Sequence, residues 1–206
     1  MSDASTPPTS SVPFGDDPLE EQVVESSLIH EGHLLTVHVD TILRADGSTG
    51  TRDVVSHPGA VAVLAVDDDE RLLLVRQWRI PAGRAMLEIP AGTLDVHGGV
   101  TEDPDIAARR ELEEETGSRA STWRRLASFW TAPGFATEYM HLYLATGIES
   151  VHGDDRLSPD EDERLELSAV PIDDALAMVE RGEIADAKSM LGILWLDRLR
   201  AAGELR

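Results

Sequence analysis

The chain has no cysteine, which excludes disulfide bonds and thiol catalysis. It is also short of basic residues, with 18 Lys and Arg against 39 Asp and Glu and a net charge of −21. This balance argues against binding nucleic acid through its phosphates, and against an anionic membrane surface. No apolar run approaches the roughly 18 residues of a membrane span, and the N-terminus lacks a basic-then-apolar signal pattern. We therefore expect a cytoplasmic protein that holds any anionic ligand through metal ions or a few placed arginines.

The 206 residues suffice for one good-sized domain plus an appendage. Residues 1–18 are polar and proline-rich, and predict a disordered tail. Residues 19–58 contain β-branched runs at 34–40 and 51–55, separated by a turn signal at 45–48, and predict a small antiparallel β unit. Residues 59–206 then form the main domain.

The main domain alternates strand-like segments with few helices. The continuous apolar run 60–66 is typical of a strand buried on both faces. Two similar segments, Ile80–Gly83 and Ile89–Gly92, are interpreted as turns. The pattern predicts an α/β sandwich on a mixed sheet. Further strands are expected at 71–79, 121–132, 139–145 and 165–170, and helices at 173–181 and 187–200.

The segment 102–117 has the signals of a helix at both of its ends. Asp103 can cap the N-terminus, Pro104 suits the first helical position, and Asp105 favours the positive end of the dipole. Gly117 is the residue best able to end the helix in a left-handed conformation. The segment therefore predicts a helix that stops before Gly117.

Three carboxylates share one face of this predicted helix. Glu111, Glu114 and Glu115 fall within an arc of about 100°, at 100° per residue. Such a cluster is either a solvated surface or a site for a hard divalent ion, since carboxylate oxygens suit Mg²⁺ or Mn²⁺ better than zinc. Spacing alone leaves both interpretations open.

The order Glu102, seven residues, then Arg110-Glu111-Leu112-x-Glu114-Glu115-x-Gly117 closely resembles the signature box of the Nudix hydrolases. The resemblance implies that Glu111 and Glu115 are the principal metal ligands, that Glu114 is a further ligand or supports one, and that Arg110 orients the carboxylates. Two positions depart from the family pattern. Val96 replaces a glycine, which suggests an insertion before the helix, and Ser118 replaces an aliphatic residue.

Other segments resemble the ADP-ribose pyrophosphatase branch of that family. Leu87–Gly92 is similar to the segment whose alanine carbonyl binds a metal, which implies this role for Ala91 and a substrate contact for Gly92. Pro133, Gly134 and Phe135, followed by Glu138, resemble the loop that contacts the terminal ribose. The N-terminal strands resemble a small domain that such enzymes exchange across a homodimer.

The acidic segment 160–163 precedes a predicted strand, where the family carries its catalytic glutamate. The resemblance implies that Glu161 is this base, with Glu163 as the runner-up; a carboxylate there could take the proton from a metal-acidified water. Arg52 and Arg79 are candidates for the diphosphate or the adenine, because the guanidinium is a planar fork with a flat face. A surface ion pair is the equally weighted alternative for both arginines.

The resemblance implies an enzyme that hydrolyses ADP-ribose to AMP and ribose 5-phosphate with two or three Mg²⁺ ions, or with Mn²⁺ in their place. Another nucleoside diphosphate sugar, such as GDP-mannose, is the alternative substrate. A non-catalytic ligand-binding module of the same fold is the alternative from a different functional class. The presence of Glu111, Glu114 and Glu115 favours the enzyme.

Overall fold

The computed structural model describes residues 15, 17–152, 157 and 164–205, which divide into two compact units at Ser56/His57. Almost all of the predicted tail, together with Glu161 and Glu163, lies outside these residues. None of the helices in the described part is long and apolar enough to cross a membrane.

The first unit is a three-stranded antiparallel sheet of β1 (Glu21–Glu31), β2 (Thr36–Arg44) and β3 (Thr49–Ser56), in that order. The turn expected at 45–48 joins β2 to β3, and Gly47 adopts a φ of 83° there. The antiparallel order matches the expected strand pattern. A role of this unit in dimerisation stays a prediction.

The second unit is built on a seven-stranded mixed sheet in which β11 runs parallel to β4. The central order is β10-β11-β4-β5-β12, with β6 added to β5 and β7 added to β4. Its strands are β4 (Ala60–Val66), β5 (Arg71–Arg79), β6 (Arg84–Glu88), β7 (Ala91–Thr93), β10 (Ser118–Trp130), β11 (Tyr139–Ser150) and β12 (Glu166–Pro171). The hairpin β8 (Val96–His97) and β9 (Val100–Thr101) forms a separate two-stranded sheet, and the helices are α1 (Pro104–Thr116), α2 (Ile172–Glu180) and α3 (Ala187–Ala201).

Helices cover both faces of this sheet, which confirms the expected sandwich. The buried strand β4 shows why its sequence is continuously apolar, since successive side chains point to opposite faces. Val61 and Val63 pack with Leu112 of α1, whereas Ala62 and Leu64 pack in the cluster that includes α2 and α3.

The two segments that were expected to form turns behave differently in the structure. Ile80–Ala82 is a 3₁₀ turn that ends at Gly83, as expected. The similar segment Ile89–Gly92 was wrongly interpreted as a turn, because Ala91 and Gly92 begin strand β7 and pair with β4. The segment before α1, where the resemblance suggests an insertion, forms the β8–β9 hairpin, whose turn residues Gly98 and Gly99 both have positive φ, at 60° and 82°. Two such residues form the type I′ turn that tight hairpins favour.

Candidate functional site

Helix α1 begins and ends at the residues that its sequence signals predict. The Asp103 side chain accepts a hydrogen bond from the Asp105 backbone N–H at 2.8 Å, and Pro104 is the first helical residue. Gly117 ends the helix with a φ of 63°, and its N–H donates to the Glu113 carbonyl. The buried side of α1 packs Leu112 against the sheet. This packing fixes the direction in which the carboxylates point.

Arg110 lies among the carboxylates of α1. Its Nη1 donates to Glu111 Oε1 at 2.7 Å and to Glu114 Oε2 at 2.9 Å. Its Nη2 donates to Glu102 Oε2 at 2.8 Å and to the Thr93 carbonyl at 3.2 Å. The guanidinium therefore joins the two ends of the box and offsets repulsion between Glu111 and Glu114.

The charges around Arg110 change the pKa values of this cluster. Burial alone would lower the pKa of Arg110, but hydrogen bonding to Glu102, the charge of Glu111 and hydrogen bonding to Glu114 raise it above its usual value. The hydrogen bonds from Arg110 in turn lower the pKa of Glu102. Both groups therefore remain charged at neutral pH.

Strand β7 lies directly against the carboxylates, and the metal-binding role of the Ala91 carbonyl stays a prediction. The Ala91 N–H donates to Glu115 Oε2 at 2.9 Å. A Cβ added at Gly92 would stand only 2.0 Å from the Glu111 carboxyl carbon. Glu111 and Glu115 are only 9% and 4% exposed. Glycine at position 92 is therefore what lets the Glu111 carboxylate approach the backbone so closely.

Glu113 lies on a different face of α1. Its two carboxylate oxygens accept from Arg119 at 2.6 Å and 2.8 Å, and hydrogen bonding to this arginine lowers the pKa of Glu113. The helical spacing therefore places Glu113 apart from Glu111, Glu114 and Glu115.

Arg79 forms a paired interaction with the buried carboxylate of Glu88. Its Nε and Nη2 donate to Glu88 Oε1 and Oε2 at 2.9 Å and 2.8 Å. This hydrogen bonding raises the pKa of Arg79 against the effect of burial, and the charge of Glu115 adds to the increase. Arg79 therefore lies within the electrostatic influence of the α1 cluster. Glu88, which no sequence signal singles out within Leu87–Gly92, therefore also lies near the candidate site.

Arg52 pairs with Glu21 within the first unit, and Arg44 binds the same carboxylate at 3.0 Å. The Arg52 side chain is 44% exposed. These contacts agree with the alternative interpretation, in which Arg52 forms a surface ion pair.

Pro133, Gly134 and Phe135 lie in the loop that joins β10 to β11, and Glu138 stands at its end. The Thr131 hydroxyl binds the Glu138 carboxylate, and Phe135 is exposed. At the start of β11, Met140 pairs with Ala60 of β4, and Ala60 also pairs with Thr93 of β7. The loop is therefore at the same end of the sheet as β7.

A cleft of about 650 Å³ opens beside Glu115. Its walls include Arg76 and Trp78 of β5, and Arg164, which precedes β12. Sequence reasoning missed all three residues. Arg76 and Trp78 stand two positions apart on a strand, so the strand period could have grouped them on one face. The cleft places cations and an exposed indole next to a carboxylate of the box.

The donor chemistry of the site fits a hard divalent ion. Three carboxylates and the nearby Ala91 backbone supply only oxygen ligands. Within the described ranges, no three His, Cys, Asp or Glu side chains converge closely enough to hold an ion as they stand. Arg110 binds oxygens of Glu111 and Glu114, so an ion at these oxygens would compete with its guanidinium.

Residues 56–191 match the NUDIX domain family. Two ADP-ribose pyrophosphatases are each 39% identical to the chain. That of Bacillus subtilis (strain 168) matches over 86% of this chain and 93% of its own length, and that of Mycobacterium tuberculosis (strain ATCC 25618 / H37Rv) over 84% and 81%. A methanol dehydrogenase activator of Bacillus methanolicus is 38% identical over 86% of this chain and 92% of its own length.

A crystal structure of an ADP compounds hydrolase has the same fold, with a TM-score of 0.77 at 19% sequence identity. The match covers 92% of this chain and 100% of that one. The box on α1, the β7 strand beneath it and these relatives agree: the chain belongs to the Nudix hydrolase family.

Proposed function

We propose that this protein hydrolyses ADP-ribose to AMP and ribose 5-phosphate with divalent metal ions. The observation that carries the proposal is the contact of the Glu111 and Glu115 carboxylates with the Ala91–Gly92 backbone. Two relatives of 39% identity that bear the name ADP-ribose pyrophosphatase support the choice of substrate. A cytoplasmic homodimer, assembled through residues 19–58, is part of the same proposal.

Glu111, Glu114, Glu115 and the Ala91 carbonyl would hold the metal ions, which we expect to be two or three Mg²⁺, with Mn²⁺ as a substitute. When bound, such ions supply neutralisation of the diphosphate and acidification of the attacking water. Arg110 stabilises the ionised carboxylates before loading. On loading, its bonds to Glu102 would keep the guanidinium beside the site.

In the hydrolysis, water adds to one phosphorus of the diphosphate, the bridging P–O bond breaks, and the water loses a proton. We assign the acceptance of this proton to the Glu161 carboxylate, with Glu163 as the runner-up. Both residues lie outside the described ranges. Their neighbour Arg164 lines the cleft beside Glu115, which supports this assignment.

The substrate would be held by the remaining predicted residues. Arg79 binds Glu88 through Nε and Nη2, and its Nη1 would serve a phosphate oxygen. Gly92 would lie beneath the diphosphate, and the exposed Phe135, with Pro133, Gly134 and Glu138, would contact the terminal ribose. Arg52 is the weakest member of this set, because its guanidinium already pairs with Glu21.

The proposal is tested by incubating the purified protein with Mg²⁺ and separate samples of ADP-ribose, GDP-mannose, ADP-glucose and dinucleotides, and then analysing the products by chromatography. We expect AMP and ribose 5-phosphate, with ADP-ribose giving the highest kcat/KM. Preferred cleavage of GDP-mannose would retain the diphosphate chemistry and reject the substrate. Binding without cleavage, in either Mg²⁺ or Mn²⁺, would instead support the ligand-binding module.

A further inference from the structure

Lys188 is the only lysine of the chain, since the other 17 basic residues are arginines. It lies in the first turn of α3, and its side chain is only 12% exposed. Lysine is seldom buried unless it is paired, so the partners of Lys188 indicate what it does.

Lys188 links α3 to the buried carboxylate of Glu88. Its Nζ donates to Asp186 Oδ1 at 2.8 Å and also to Glu88 Oε2, the oxygen that Arg79 Nη2 binds. Glu88 is 2% exposed, and Asp186 Oδ2 is a buried oxygen that has no hydrogen-bond partner among the described residues. The four charged groups sum to zero, so loss of the lysine would leave a buried negative charge.

The same turn of α3 is attached to the segment that leads to the carboxylate cluster. The Ser189 hydroxyl accepts from the Ile89 N–H at 2.9 Å, next to Glu88. Two residues further on, Ala91 donates to Glu115. The contacts therefore run without interruption from α3, through Glu88 and β7, to the box of α1.

We propose that Lys188 is a positioning residue for the diphosphate site: by holding the Glu88 carboxylate, it fixes the Arg79 guanidinium and the Ala91–Gly92 backbone. This inference rests on the proposed function. Without the lysine charge, Glu88 and Asp186 would carry excess negative charge beside an anionic substrate. The KM for ADP-ribose should therefore rise more than kcat falls.

The absence of cysteine permits a clean chemical test. Lys188→Cys can be alkylated in denaturant with 2-bromoethylamine, whereby the thiolate sulfur displaces bromide and forms an aminoethyl thioether of lysine length. We expect Lys188→Met and unalkylated Lys188→Cys to raise KM about 10- to 100-fold, the order of effect of losing one hydrogen bond to a charged group. Alkylation should restore most of the loss. Wild-type protein taken through the same treatment and refolding is the control. An unchanged KM in both variants overturns the proposal.

A double-mutant cycle tests whether the effect passes through Arg79. In the Arg79→Ala background, Lys188→Met should lower kcat/KM by a clearly smaller factor than it does in the wild type, because groups that act through one network are non-additive and only the backbone effect remains. Equal losses in both backgrounds would reject positioning through Arg79 and leave a general structural role.

A measurement that needs no turnover separates this inference from the proposed function. In protein labelled with [ε-¹³C]lysine, the single lysine signal should shift in Arg79→Ala, since both side chains bind Glu88. An unshifted signal would contradict the network, and this result would hold even if the Lys188 variants of the alkylation test failed to refold. A shifted signal in a protein that does not cleave ADP-ribose would reject the proposed function and retain the network.

Discussion

Gly92→Ala tests the central contact of the site by adding a single methyl group. Its Cβ would stand 2.0 Å from the carboxyl carbon and Oε1 of Glu111, whereas ordinary contacts begin near 3.4 Å. The strand cannot retreat easily, because Gly92 pairs with the fully buried Val61 of β4. The Glu111 carboxylate must therefore move by about 1.4 Å.

The size of the effect follows from this displacement. A misplacement of about 1 Å in a catalytic constellation can cost roughly 100-fold in rate, which equals about 2.7 kcal/mol of transition-state stabilisation. Overpacking costs about 1–3 kcal/mol of folding stability, partly offset by about 0.4–1 kcal/mol from the stiffer unfolded chain. Activity should therefore fall at least about 100-fold while most of the folding stability is kept.

The assay compares kcat/KM for ADP-ribose at saturating Mg²⁺ with the free energy of unfolding in urea. Gly192→Ala is the matched control, because its methyl would meet the buried Leu64 and Ile89 side chains at 3.0–3.4 Å, away from the carboxylates. We expect the control to change stability without a comparable loss of kcat/KM. Activity of Gly92→Ala within threefold of wild type would refute the reasoning.

Glu115→Gln should lower kcat by several orders of magnitude and leave the melting temperature nearly unchanged, since an amide oxygen can still accept from Ala91; a collapse of folding would make Glu115 structural. Glu161→Gln should lower kcat but not ADP-ribose affinity, and full activity would move the base to Glu163. Burial alone would raise the pKa of Glu88, but hydrogen bonds and charges from Arg79 and Lys188 lower it. The ion pairs of Glu88 therefore stabilise the fold above about pH 4.5, and this stabilisation is lost as the pH falls through the lower pKa of the folded state. Glu88→Gln should thus cost about 3 kcal/mol at pH 7 and progressively less below pH 4.5, measured by denaturation. Light scattering at micromolar concentration should give a dimer mass, and a monomer would remove the predicted role of residues 19–58.

Local signals account for the parts of the structure that were predicted from sequence. Helix α1 was located because its cap, its first-position proline and its terminal glycine all act within one turn of its ends. Strand β4 was located because a strand buried on both faces must be apolar throughout. The grouping of Glu111, Glu114 and Glu115 depends only on helical geometry. Each of these inferences required no knowledge of tertiary contacts.

Long-range pairing accounts for what was missed. Glu88 and Lys188 are 100 residues apart, so neither spacing nor local chemistry could join them. Strand β7 was interpreted as a turn because three residues with proline before them carry too little pattern. Its identity comes from hydrogen bonds to β4, which sequence periodicity does not reveal.

The strong negative charge of the chain explains why the contacts of Arg79, Lys188 and Arg110 matter for binding. A protein of net charge −21 repels an anionic diphosphate at long range, so productive binding depends on cations placed at short range. Arg79 and Lys188 both bind the Glu88 carboxylate, and Arg110 binds the carboxylates of the box. Each cation is therefore held in place before the substrate arrives, which reduces the ordering cost of binding. An arginine added on an exposed surface would change the net charge equally but would lack this arrangement, so it should not compensate for the loss of Lys188.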